Sequence, residues 1–409
     1  MPSASRSDFL ASEHGASADV VIAGAGVMGA SLAYWLSHLD PALRVILIER
    51  DTRFERASSS LSASSIRQQF TTPVNIALSA FGIRFLREAS LTLSTDEHPV
   101  ELGLREPGYL YLAGEKEESA LREAHRIQVA CRAKVALLEP RALAERFGWL
   151  NVNDLALGSL GLSGEGWFDG PALHRALLRK ARTQGTQLVA GEVVGLDFGM
   201  QRSSEDWPAA SVLLADGTRI ACGHFVNAAG PWSGSLAHKL GIELPVRARR
   251  RTVFVLSSPA ALPGCPLIID HSGFWLRPEG DRWLFGSPPI DDSDDLPLEP
   301  DWREFDDVAW ARLAHRIPAL EAARVEHAWS GYYEINTLDH NAVLGPHPEH
   351  RNLWFMSGFS GHGMQHAPGA GLALAQWILG GEPLAINIRP LGFDRILSGK
   401  PLLELNVIG

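Results

Sequence analysis

The chain has 409 residues, of which 45% are apolar and 21% charged, enough for a large core and two domains. A net charge of −10 argues against a general nucleic-acid binder, which needs a positive field. Cys131, Cys222 and Cys265 lie far apart and form no CxxC pair, which argues against a zinc site or a disulfide framework and for a reducing, cytoplasmic setting.

Residues 1–18 are small and polar without an apolar core, and read as a loose tail rather than a signal peptide. No apolar run reaches the length of a membrane span. The first ordered unit is "DVVIAGAGVMGASLAYWL", residues 19–36. "VVIAG" is a β-branched run typical of a buried strand. Leu32, Trp35, Leu36 and Leu39 then recur at helical spacing. "RVILIERD" supplies a second buried strand, Val45 to Ile48, ending in Glu49, 20 residues after Gly29.

Strand, glycine turn, helix, strand and acid together predict a dinucleotide site. Gly24 permits the tight turn, Gly26 lets backbone approach a pyrophosphate, and Gly29 lets helix and strand pack closely. The helix start, with Val27 and Met28, offers free N–H groups to the phosphates. Glu49 accepts from ribose hydroxyls.

A nicotinamide enzyme would continue directly with further βαβ units. Here the second strand leads into "DTRFERASSSLSASSIRQQF", residues 51–70, small and polar with Arg67 near its end. Small residues let backbone pack close to a flat ring or a second phosphate. Downstream, "REPGYLYLAGE" (105–115) and "FWLRPEGDRWLFGSP" (274–288) read as antiparallel hairpin strands, and "RRTVFVL" (250–256) as another strand. "VRARRRTV" (246–253) carries Arg247, Arg249, Arg250 and Arg251, which alternate between faces on a strand.

Three stretches carry a resemblance. They are "GWFDGPALHRALLRKARTQGTQLV" (166–189), "GHFVNAAGPWSGSLAHKLG" (223–241) and "GYYEINTLDHNAVLGPHPEHRNLWFMSGFSGHGMQHAPGAG" (331–371). In that order they resemble the D-amino-acid oxidase superfamily of FAD enzymes, nearest the sarcosine oxidase and dehydrogenase group and D-arginine dehydrogenase. Residues 331–409 also resemble the FAD-dependent oxidoreductase-domain proteins of respiratory complex I assembly.

The resemblance implies a mixed α/β fold, a Rossmann-like FAD domain interleaved with an antiparallel substrate domain. The FAD domain would take 19–84, 155–240 and 335–409, and the substrate domain 85–154 and 241–334. It implies FAD contacts from Arg50, Ser58, Ser59, Arg67, Val194, Ala228, Gly230 and Trp232. The loop Gly358, Phe359, Ser360, Gly361, His362, Gly363, Met364 and Gln365 would lie against the flavin ring.

The implied chemistry is hydride transfer from the carbon beside an amine to flavin N5, with hydrolysis of the imine. Arg250 and Arg251 are the candidate cations for a substrate carboxylate. Tyr332, Tyr333, His271 and Trp275 are candidates for favouring the neutral amine or for walling the site. Covalent-flavin members carry a cysteine near "WSGYYEIN", where this chain has Tyr332, so FAD is expected to be noncovalent. Tyr333 and Gln365 replace a carboxylate-binding arginine and lysine of the relatives, which leaves the clamp incomplete. Sarcosine oxidase-like members place an oxygen-activating lysine where this chain has Leu284, with Arg282 the nearest cation in sequence. This favours a dehydrogenase of an amine or amino acid that passes electrons to a quinone or an electron-transfer protein. An oxidase using oxygen and a flavin-binding assembly factor with weak or no catalysis are the alternatives.

Overall fold

A computed structural model describes residues 16–198 and 210–404. Strand β1 (Ala16–Ala23), helix α1 (Val27–Leu39) and strand β2 (Val45–Glu49) form the first unit. β1 reaches back into the expected tail because Ala16 and Ser17 pair with Ile220 and Ala221; the rest of that tail lies outside the described residues. α1 starts at Val27, earlier than the apolar pattern, because Gly26 is its N-cap and the Val27 N–H already finds an acceptor in Ser59 Oγ at 2.8 Å.

β1 and β2 sit inside an eight-stranded sheet whose path runs 343–346, 353–357, 219–227, β1, β2, 187–190. The pairings between 353–357 and 187–190 are all parallel. Such strands are covered on both faces, and one core lies under α1 and the helices Gly170–Thr183 and Gly363–Gly380, with a second on the opposite face.

The second eight-stranded sheet runs 324–336, 246–257, 282–286, 275–279, 267–269, 109–113, 157–161, 135–138. Trp275–Glu279 and Arg282–Gly286 form the expected hairpin, turning at Gly280 with φ 61°. Tyr109–Ala113 is a strand but makes no hairpin with a neighbour in sequence. It pairs in parallel with Leu267–Ile269 and antiparallel with Leu157–Gly161. The sequence division at residue 155 therefore falls just before a strand, Leu157–Gly161, that pairs within this second sheet.

A Cβ on Gly29 would lie 1.9 Å from the Gly24 carbonyl oxygen and 3.2 Å from Leu47 Cδ2. Glycine at this position lets α1 seat on the sheet and fixes the shape of the turn. Gly29→Ala is therefore expected to lower stability by about 1–3 kcal/mol, measured by denaturant unfolding, with a matching loss of bound cofactor.

Candidate active site

One cavity of about 1090 Å³ runs from the glycine turn to the second sheet. At its first end Gly24, Gly26, Val27, Met28, Glu49 and Arg50 form the wall. Gly24 has φ 99°, and a Cβ there would lie 2.3 Å from the Ala228 carbonyl oxygen. Glu49 accepts from the Ala25 and Asp51 N–H groups, both at 2.9 Å, which fixes its carboxylate at the rim of the turn. Gly29 stands behind the wall, in its packing role.

Ser58, Ser59, Ala228, Gly230 and Trp232 continue the wall. Arg50 stacks on the Trp232 ring at 4.1 Å. Val194 is not part of the wall; its neighbour Val193 is. Successive strand residues face opposite sides, so a one-residue slip exchanges lining for packing.

The glycine loop after Leu353–Ser357 brings Ser360, Gly361, His362, Gly363 and Met364 to the cavity. Gly358, Phe359 and Gln365 lie behind it. Phe359 is core, and Gln365 Oε1 accepts the Arg67 N–H at 2.8 Å. A Cβ on Gly361 would lie 2.4 Å from the Tyr333 ring, so glycine lets that ring close the wall.

Tyr332 lines the cavity beside Trp232, whose ring its own meets at 5.9 Å, and donates its hydroxyl to the Leu296 carbonyl at 2.6 Å. At the far end Arg67, Arg251, Trp275 and Tyr333 line the space. Arg250 and His271 do not, and this corrects their expected roles. Arg250 projects from the opposite face of its strand toward Asp301 and Glu304 at 3.6 and 3.9 Å. His271 joins a separate network with Asp154 and buried Arg316 at 3.2 and 3.1 Å. Arg251 reaches the cavity already paired with Asp292 at 2.6 Å, and Asp292 also takes Arg249 at 2.6 Å. The acidic segment 291–301 thus neutralises the arginine run from within the chain.

Arg67 is different. It is 6% exposed, and no carboxylate lies within ion-pair distance of it among the described residues. Its Nε has no hydrogen-bond partner. Its guanidinium lies over Phe70 at 4.5 Å and near the rings of Tyr109 and Tyr111. Nη2 is 3.0 Å from His362 Nε2. A guanidinium only donates, so His362 accepts there and carries its proton on Nδ1. Burial and the Arg67 charge hold His362 well below the usual histidine range, so it is neutral.

Sequence reasoning missed two further wall residues. Arg277, 4% exposed, donates to the Ala63 carbonyl at 2.8 Å and pairs with Glu279. Burial lowers its affinity for its proton. It stands directly opposite Leu284 in the hairpin, whereas Arg282 turns outward to Asp281 and Glu326. Glu334 accepts the Gly358 N–H at 3.0 Å, and burial pushes its carboxyl up to about 7. Alternation along the strand was the available signal, because Glu334 falls on the same buried face as Ser330 and Tyr332.

Away from the cavity, ring or carboxylate atoms of His347, Glu349 and His350 lie within 4.8 Å of one another. His347 Nδ1 already accepts the Glu349 and His350 N–H groups at 3.2 and 3.3 Å, so that lone pair serves the turn.

A glycine turn with a fixed acid, a Ser-rich wall and a second glycine loop sharing one cavity is the layout of a flavin dinucleotide site. The sequence matches the family described as DAO, FAD dependent oxidoreductase, over residues 19–377. The chain belongs to the DAO family.

It is 38% identical to FAD-dependent oxidoreductase domain-containing protein 1 of Xenopus laevis, over 96% of this chain and 85% of that one. It is 28% identical to human mitochondrial dimethylglycine dehydrogenase, over 90% of this chain and 43% of that one. In structure it is similar to L-proline dehydrogenase from P. horikoshii, with a TM-score of 0.81 and 22% identity, covering 94% of this chain and 99% of that one.

DAO-family proteins are FAD-dependent, and the residues here fit that cofactor. Gly26 opens onto the cavity, its Cβ direction meeting nothing nearer than Ser59 Oγ at 3.3 Å. Glu49 would hold the ribose hydroxyls, the start of α1 the phosphates, and the 360–364 loop the ring system. None of the three cysteines lines the cavity, so no cysteinyl link to the flavin is available there.

Two outcomes are expected. Acid precipitation of the yellow protein should leave all flavin in the supernatant, and Glu49→Ala should weaken FAD binding by about 1–3 kcal/mol. The second concerns pH. The Glu334 carboxyl titrates at about 7 folded against an ordinary value of 4.5, so its protonated form favours the fold. Its contribution is complete below pH 4.5 and is lost as pH rises to about 7. The melting temperature of Glu334→Gln minus that of the native protein should rise across this window and level off above it. A flat difference would show that Glu334 is ionised throughout.

Proposed function

We propose that this protein oxidises the C–N bond of an amino acid or a carboxylate-bearing secondary or tertiary amine, as a dehydrogenase whose electrons pass to a quinone or an electron-transfer protein. The observation that carries this reading is Arg67, a buried guanidinium on the cavity wall with no carboxylate of its own. A buried unpaired charge is costly, and a substrate carboxylate would remove that cost. The names of the dimethylglycine, sarcosine and L-proline dehydrogenases among its relatives and structural neighbours support the same substrate class.

When FAD is bound it supplies the two-electron acceptor for hydride from the carbon beside nitrogen, and the imine product is hydrolysed by water. The chain's part is orientation and electrostatics. Arg67 would fix the carboxylate, and neutral His362 holds the guanidinium in plane through its Nε2. Trp275, Tyr333 and Tyr109 wall the space beside it and exclude water. The cations Arg67 and Arg277 disfavour an ammonium in that space, so the amine is held in its neutral, hydride-releasing form without a dedicated base.

Arg277 also favours a second reading, an oxidase of the same fold. A fixed cation beside a flavin stabilises superoxide as it forms, and Arg277 lies opposite Leu284, where a lysine was expected in oxidases.

The deciding experiment is anaerobic reduction of the holoenzyme by N-methyl amino acids, cyclic imino acids and D-amino acids. At least one should bleach the flavin, and Arg67→Met should weaken that substrate by about 2–5 kcal/mol while affecting a plain amine little. Flavin that stays oxidised with every amine would instead support an assembly or interaction role. The dehydrogenase reading expects slow reoxidation in air and fast reoxidation by a quinone dye. Rapid peroxide formation that disappears in Arg277→Met would establish the oxidase.

A further inference from the structure

The segment 65–72 that carries Arg67 spends its hydrogen bonds on distant parts of the chain. The Gln68 N–H donates to Glu165 Oε1 at 2.7 Å, and Gln69 Nε2 donates to Glu165 Oε2 at 2.8 Å. Glu165 is 1% exposed and sits in the turn after Leu157–Gly161. Further along the same segment Glu404, near the end of the described chain, gathers donors from the start of the helix Pro73–Arg87. These are the N–H and hydroxyl of Thr71, the N–H and hydroxyl of Thr72, and Asn75 Nδ2 at 2.7 Å. Thr72 is that helix's N-cap, yet its own side chain caps nothing. Glu404 does the capping from across the fold, where a carboxylate also complements the helix dipole.

Neither carboxylate forms an ion pair with Arg67. Both grip backbone and side chains that follow Arg67, Glu165 at Gln68 and Gln69 and Glu404 at Thr71, Thr72 and Asn75. Any direct contact would have neutralised the guanidinium, as Asp292 neutralises Arg251.

We propose that Glu165 and Glu404 are positioning residues that clamp the segment following Arg67 at two successive points and so hold its guanidinium unpaired in the cavity for a substrate carboxylate. This rests on the reading of Arg67 given above. The geometry separates the proposal from a purely electrostatic role by sign. A carboxylate here repels an anion bound at Arg67, Glu165 only in part because burial pushes its carboxyl up to about 7, so removing charge alone would tighten anion binding or leave it unchanged. Removing a clamp would loosen it, because a buried guanidinium misplaced by a fraction of an ångström loses its bidentate geometry.

The test uses the FAD-loaded protein and benzoate as the anion, followed by perturbation of the flavin's visible spectrum, with benzamide as the neutral control. Glu404→Gln and Glu165→Gln should each weaken benzoate by about tenfold, equal to about 1.4 kcal/mol, with benzamide and FAD affinities changed by less than about twofold. Glu404→Asp keeps the charge but shortens the reach. It should weaken benzoate as well, and it carries the test if the glutamine variant does not fold. Tighter or unchanged benzoate binding in these variants would overturn the clamp, as would equal loosening of benzamide, which marks general loss of structure. Arg67→Met is the control for the underlying reading. If benzoate binds that variant normally, the anchor itself is wrong. If Arg67→Met abolishes binding while the glutamate variants do not weaken it, only the clamp fails.

Discussion

A guanidinium held out of water without a counter-ion is the constraint around which this site is organised. Burying such a charge would cost several kcal/mol unless its surroundings substitute for water. The groups in direct contact with it do so without supplying a formal negative charge. The π faces of Phe70, Tyr109 and Tyr111 and the lone pair of neutral His362 take that role. Burial pushes the Tyr111 hydroxyl up and His362 down, which keeps both neutral near pH 7. The positive charge is therefore stabilised yet still directed into the cavity.

The arginine run on Val246–Ser257 shows the opposite solution. Arg247, Arg249, Arg250 and Arg251 each find carboxylates within the acidic stretch 291–304. That stretch wraps over the second sheet and contributes Asp292 to the cavity wall. Arg251 is thus a filled cation site that also stacks on Tyr333 at 5.4 Å. Of the arginines at this end, Arg67 alone has no carboxylate among the described residues. The difference between the paired cations and Arg67 lies in their partners, which composition does not reveal.

This explains what was legible in the sequence. The Gly24–Gly26–Gly29–Glu49 unit was readable because every part of it is local: strand, turn, helix and acid follow one another within a single βαβ unit. The glycine loop before Gly363–Gly380 was readable for the same reason. Arg67 was visible as a buried-looking arginine ending a serine-rich loop, but its lack of a partner exists only in three dimensions. Arg250 was named with Arg251 because the family resemblance supplies a basic pair there, and alternation on a strand puts the two on opposite faces without saying which face meets the cavity. Glu165 and Glu404 carry no motif, since their partners stand about 100 and 330 positions away in sequence. Glu334 alone left a trace, a carboxylate at an inward position of an alternating strand.

The strand Arg324–Asn336 joins the two halves of the cavity. It belongs to the second sheet, pairing along its length with Val246–Ser257. At its end the Glu334 side chain accepts from Gly358, its carbonyl accepts the Ser360 N–H at 3.1 Å, and Ile335 bridges to Phe359. The glycine loop and the second sheet, which wall the two ends of the cavity, are therefore tied through consecutive residues of one strand. Tyr333 immediately precedes those ties, its ring against Gly361. A site that depends on one exposed face of a buried guanidinium needs walls that do not drift relative to each other. Here rigidity comes from hydrogen bonds that cross between the two sheets at the cavity itself. Replacing Glu334 would loosen the register of both walls at once, although its carboxylate touches only backbone N–H groups of the loop.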